Sequence, residues 1–224
     1  MTLGFGTEII YSFVIIVCSL MIYFGTKELY ELSSHKGIKY FRQAFLFFAI
    51  AYFFRSFIKF ILIYFNASQI LDIHHQASGF IFSQLTLGIF MYFSAMAIFY
   101  LLYSVMWKKW NGNSKKIYLF HFLAFAIALI SIMFGNSLVY FGINFLLLLF
   151  VIFTFFISRK QSKHKKSKHN LHVIYTLLFL FWILNIIDIL IPSFFQTFQL
   201  FIYLASLGIF FVMVYKVLKR TGSG

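Results

Sequence analysis

From Ile117 to Ser158 the chain carries no Asp, Glu, Lys or Arg. A stretch of that length without a charge does not suit the surface of a water-soluble domain, because a helix that is apolar all round has no face to offer to water. It is also too long for one crossing of a bilayer, whose hydrocarbon core of about 30 Å takes roughly 20 helical residues. Gly135-Asn136-Ser137, a tight polar turn, divides it into two. The same measure applied to the whole chain gives seven candidate crossings, near 7–27, 39–65, 79–106, 117–135, 137–157, 171–191 and 197–218. The expected fold class is therefore all-α: a polytopic membrane protein, multi-pass in the cell membrane, forming one domain over residues 1–221 as a bundle of seven transmembrane helices. Gly222-Ser223-Gly224 reads as an added tail.

Of the residues, 62% are hydrophobic, against roughly 45 to 50% in a soluble domain, and the formal net charge is +14. A nucleic-acid partner needs basic residues on a soluble face; here they fall in short loops between apolar runs, so none is expected. The loop after the first run holds Lys27, Lys36 and Lys39, that after the third Lys108, Lys109, Lys115 and Lys116, and that after the fifth Arg159, Lys160, Lys163, Lys165, Lys166 and Lys168, while 66–78, 135–137 and 192–196 hold no Lys or Arg. Short cytoplasmic loops carry the excess of Lys and Arg, which predicts an N-terminus outside and a cytoplasmic C-terminus. The first run has no basic residue before it and no small-residue cleavage pattern, so it is expected to stay as a helix rather than leave as a signal peptide.

Two cations interrupt the second run, Arg55 just past its middle and Lys59 one turn further out on the same face. Together they cost about 5 to 7 kcal/mol of insertion free energy, which the surrounding Phe, Ile and Leu roughly offset. That face is expected to turn away from lipid, toward partners or water. The acid for it is Asp188, near the outer end of the sixth run, with Asn185 three residues earlier; Glu8 opens the first run at the same level, followed by Ser12 and Ser19. Gln84, Asn144, Gln199 and Tyr203 fall in the same outer half. Arg55, Lys59, Asp188, Asn185, Gln84, Glu8 and Asn144 are the candidate binding residues, for a small polar or anionic ligand. A charge network that only fixes helix packing is the competing reading.

Other features carry less. Asp72, His74 and His75 share an outer loop, but adjacent histidines on a loop rarely reach one metal ion together, and no metal site is expected. His121 and His172, near cytoplasmic helix ends, have the residue type of haem ligands but suit the membrane interface equally, and no cofactor is expected. The single Cys18 excludes an intrachain disulfide. The last run has no buried lysine for a retinal, since Lys216 lies at its cytoplasmic end, and no nucleophile, metalloprotease or phosphate-loop motif occurs, so an enzyme is not expected. The stretch RKQSKHKKSKH at 159–169 is a topology signal that also suits anionic lipid or a cytoplasmic protein partner. The expected function is a receptor-like or sensory membrane module. The alternatives are a small-solute transporter using the same cluster, for which the echo of Leu87-Gly88-Ile89-Phe90 in Leu207-Gly208-Ile209-Phe210 hints at a repeat, and a structural membrane subunit.

Overall fold

The computed structural model describes residues 3–68, 74–110, 115–134, 136–164, 171–190 and 196–221. These residues form α1 (Leu3–Gly25), α2 (Lys27–Ser33), α3 (Lys36–Ser68), α4 (His74–Met106), α5 (Lys115–Phe134), α6 (Ser137–His164), α7 (Leu171–Leu190) and α8 (Gln196–Thr221), with no strand among them. Six helical stretches among the described residues are long and apolar enough to cross a membrane. The chain is thus a helical, multi-pass integral membrane protein whose helices meet the lipid bilayer.

Local chemistry sets the helix ends. Asn136 starts α6: its side-chain Oδ1 accepts the amide of Leu138 at 3.1 Å and its carbonyl accepts that of Tyr140 at 3.0 Å, so the polar turn inside the long uncharged run is an N-cap. The described part of α7 ends at Leu190. The helices α3 and α4 have 33 residues each, about 50 Å at 1.5 Å per residue. They run past the apolar windows at 39–65 and 79–106 because no proline stops them and their polar flanks are still competent in a helix.

The short α2 has no counterpart among the apolar runs. It is a seven-residue helix with no buried residue, and its Lys27 and Glu31 ammonium and carboxylate lie 3.8 Å apart across one exposed turn. Ser34, with φ 48°, closes it in the left-handed region and lets the chain turn into α3. That turn brings the start of α3 against the end of α4. A Cβ on Gly37 would stand 2.8 Å from Trp107 Nε1 and 2.9 Å from the Ser104 carbonyl oxygen, so the absence of a side chain is what permits the approach.

In the order of packing, α1, α3, α4, α6, α7 and α8 form a closed ring, α8 returning to α1, and α5 lies outside it against α4. The helix α4 is the most enclosed, whereas α5 leaves Phe122, Phe125 and Met133 exposed, as a lipid-facing helix would. Aromatic rings fill the centre: Phe48 of α3 approaches Phe181 of α7, which meets Phe210 of α8 edge-on at 4.7 Å. Between α4, α6 and α7 a void of about 10 Å³ remains, bordered by Leu101, Thr154 and Tyr175, room for no more than about one water. Beside it the Tyr175 hydroxyl donates to Ser104 Oγ at 2.6 Å, and Ser104 in turn donates to the Leu101 carbonyl.

Candidate functional site

The Arg55 charge of the second apolar run sits in a cluster where α1 begins and α7 ends. Arg55 leaves α3 toward α7, where Asn185 and Asp188, three residues apart, occupy one face. Its Nη1 donates to Asn185 Oδ1 and its Nη2 to Asp188 Oδ2, each at 3.2 Å. On the other side Nη2 lies 3.7 Å from Glu8 Oε1 of α1. One guanidinium therefore contacts three helices. All three charged side chains are withdrawn from the surface, with exposures of 15% for Arg55, 12% for Glu8 and 9% for Asp188. An arginine stays charged at any accessible pH, so in this setting its partners hold a charge that lipid would not tolerate.

Tyrosines line the cluster. The Arg55 guanidinium carbon is 5.6 Å from the ring of Tyr52 and 5.9 Å from that of Tyr11, within the range where a ring face attracts a cation. Tyr11 stacks on Tyr203 of α8 at 4.5 Å and meets Tyr52 edge-on at 5.9 Å, so α8 joins the site through aromatic contact. Sequence reasoning named Tyr203 and missed Tyr11 and Tyr52. The available signal was spacing: Tyr11 is three residues after Glu8 and Tyr52 three before Arg55, the same-face interval of a helix.

The remaining candidates lie apart or incompletely placed. Asn144 of α6 is buried but donates to its own helix, to the Tyr140 carbonyl at 2.9 Å, while its carbonyl accepts Trp182 Nε1 at 3.5 Å. Gln84 Oε1 is buried without a hydrogen-bond partner, and among the described residues no hydrogen bond or ion pair joins Gln84 to Arg55 or Asp188. The Lys59 side chain falls outside the described residues. The Asp188 carboxylate also has the Gln199 side chain of α8 as a hydrogen-bonding neighbour, while the hydroxyls of Ser12 and Ser19 along α1 are buried without a partner.

At the other end of α1 a second arginine acts. Arg42 of α3 donates from Nε to the Tyr23 carbonyl at 3.0 Å, with its guanidinium 4.8 Å from the Tyr23 ring. That carbonyl belongs to the last turn of α1, where acceptors lack partners within the helix. The two arginines of α3 therefore grip α1 near both ends, whereas the polar contacts described between α3 and α7 are those of Arg55 alone.

His121 Nδ1 is 2.7 Å from the Tyr92 hydroxyl on α4, and the His172 ring packs on Phe155 of α6 at 5.2 Å, so the two imidazoles serve different helix contacts. Among the described residues no three His, Cys, Asp or Glu side chains stand close enough to share a metal ion. The expectations for Asp72, for the side chains of His74 and His75, and for the basic stretch beyond Lys160 fall outside the described residues. No family model matches the chain, and no curated protein or solved structure shows significant similarity to it.

Proposed function

We propose that the chain is a receptor-like sensory membrane module of seven crossings, α1 and α3 to α8, with its N-terminus outside and its C-terminus on the cytoplasmic side of the cell membrane. Support for the seventh crossing, α3, is its 33-residue length and the internal partners of its central charge. Support for the orientation is the excess of Lys and Arg at the end opposite the Arg55 cluster, including Lys36, Lys39, Lys108, Lys109, Lys115 and Lys116.

The single observation that carries the reading is the division of Arg55 between Glu8 on α1 and the Asn185–Asp188 pair on α7. A small polar ligand reaching this outer cluster competes for those partners. Because α1 stays fastened to α3 through Arg42, loss of the Arg55 contacts frees α7 relative to the α1–α3 pair. The displacement arrives at the cytoplasmic start of α7, beside the basic segment at 159–169, where a protein partner or anionic lipid reads it. Such a switch requires a ligand with different affinities for the two packings, since equal affinity shifts nothing.

Spin labels on Lys39→Cys and Val173→Cys, in a Cys18→Ala background, test this. The distance distribution between the cytoplasmic ends of α3 and α7 is expected to change in Arg55→Gln and on addition of an active ligand. An unchanged distribution in Arg55→Gln would favour the second reading, a network that only assembles the bundle. One observation speaks for that second reading: Arg55 already has protein partners in Glu8, Asn185 and Asp188 on two other helices.

A further inference from the structure

The turn that follows α4 sets two tryptophans among lysines. Trp107 and Trp110 lie just past the end of α4 at Met106, and the amide of Trp110 donates to the Met106 carbonyl at 3.1 Å. Neither indole is loose. Trp107 stands against the start of α3, where a Cβ on Gly37 would be 2.8 Å from its Nε1 and the His35 ring meets it edge-on at 4.9 Å. Trp110 folds back between α4 and α5, 5.4 Å from the Tyr103 ring and 5.7 Å from that of Phe120.

Each indole carries an ammonium. Lys116 Nζ is 4.6 Å from the centre of the Trp110 ring and Lys108 Nζ 5.6 Å from that of Trp107, within the range where a ring face attracts a cation. An ammonium resting on a ring still has N–H donors to offer elsewhere. Lys36 and Lys39 flank Gly37 at the start of α3, and Lys109 and Lys115 complete the corner where α3 begins, α4 ends and α5 begins. Against these lysines the neighbouring α2 sets Glu28 and Glu31, and Glu31 lies 3.8 Å from Lys27 of its own helix. Lysines that served only to orient the chain would need no packed rings beneath them.

We infer that this corner binds the phosphate of an anionic phospholipid. Indoles settle at the boundary between hydrocarbon and water, so the two rings hold their lysines level with the headgroups, where each cation adds to the attraction of an anionic leaflet. On the proposed orientation that leaflet is the cytoplasmic one. The surface is separate in the chain from the basic segment at 159–169, and it requires nothing of the Arg55 cluster.

The indoles themselves report the outcome. The unaltered chain is reconstituted with equal mole fractions of phosphatidylglycerol or phosphatidylcholine bearing a nitroxide near the headgroup, and tryptophan fluorescence is read. Trp182, the third indole, is 4% exposed in the core and adds the same background to both. Phosphatidylglycerol is expected to quench at least about twice as strongly, with the difference shrinking as salt is added. Joint replacement Lys108→Gln, Lys109→Gln, Lys115→Gln and Lys116→Gln is expected to remove the preference. The set Lys163→Gln, Lys165→Gln, Lys166→Gln and Lys168→Gln is expected to keep it. Equal quenching by the two lipids overturns the inference, as does a preference that survives the first set or is lost only in the second. Relief of the phosphatidylglycerol quenching by inorganic phosphate, at ionic strength matched with sodium chloride, would show a site for the free ion instead and also overturn it. The lipid comparison is made on the unaltered chain and the second set leaves the corner intact, so the two together decide the matter even where the first set does not fold.

Discussion

Arg55 Nη2 and Asp188 Oδ2 stand 3.2 Å apart and join α3, just past its middle, to the last turn of α7. Breaking one half of such a buried pair leaves the other charge uncompensated, at a cost of about 3 to 5 kcal/mol, whereas removing both halves is often nearly neutral. Arg55→Leu is therefore expected to destabilise the bundle strongly, Asp188→Leu less because Glu8 still faces the guanidinium, and the double variant by less than the sum of the two. A double-mutant cycle of unfolding in mixed micelles checks this. Simple additivity would show that the two side chains are not coupled.

The Tyr175 and Ser104 hydroxyls, 2.6 Å apart between α7 and α4, differ in what their loss leaves behind. Tyr175→Phe removes the donor, while Ser104 still donates to the Leu101 carbonyl. Ser104→Ala strands the buried phenol hydroxyl. Side-chain hydrogen bonds between membrane helices are worth about 0.6 kcal/mol on average and up to about 1.7. Ser104→Ala is accordingly expected to cost more than Tyr175→Phe in the same unfolding assay, and the opposite order would show that Tyr175 does not depend on this bond.

Gly37 and Gly142 are both helical, yet they make opposite predictions. A Cβ at Gly37 would collide with the Trp107 indole nitrogen and the Ser104 backbone oxygen, whereas one at Gly142 meets nothing within 4 Å. Gly37→Ala should cost about 1 to 3 kcal/mol through forced displacement of α4, and Gly142→Ala should stabilise by up to about 1 kcal/mol through helix propensity. Thermal unfolding of the two variants side by side tests both signs.

Arg42 closes the far end of α1 through the Tyr23 carbonyl at 3.0 Å and the Tyr23 ring at 4.8 Å. Arg42→Lys keeps the charge and loses the planar guanidinium that makes both contacts together. Faster amide hydrogen exchange is expected in the last turn of α1 and in α2, with the first turns of α1 unchanged. Equal protection in variant and parent would mean that α1 does not need this clasp.

Topology has its own test. With the N-terminus outside, a cysteine in place of Lys108 in a Cys18→Ala background is expected to react with a membrane-impermeant maleimide only after the cytoplasmic face is opened. Labelling of intact cells would reverse the proposed orientation.

The apolar runs and the residues able to tolerate a shared depth were legible in the sequence, because the cost of a charge in hydrocarbon acts locally and shows in composition alone. Arg55 needed an acid, and Asp188, Glu8 and Asn185 lay at the right level. The pairing itself was not legible. These helices are apolar nearly all round, so no amphipathic stripe says which face looks inward. Only the packing order of the ring decided that Arg55 would meet α7 and α1 while Asn144 turned to its own helix, and that α5 would stand outside. Nor did any apolar run announce α2, whose seven residues bury nothing. Sequence thus determined which groups must escape lipid, a property of each helix separately. Tertiary structure alone decided which groups they escape to, since a contact between Arg55 and Asp188, 133 residues apart, depends on how rigid helices fit together.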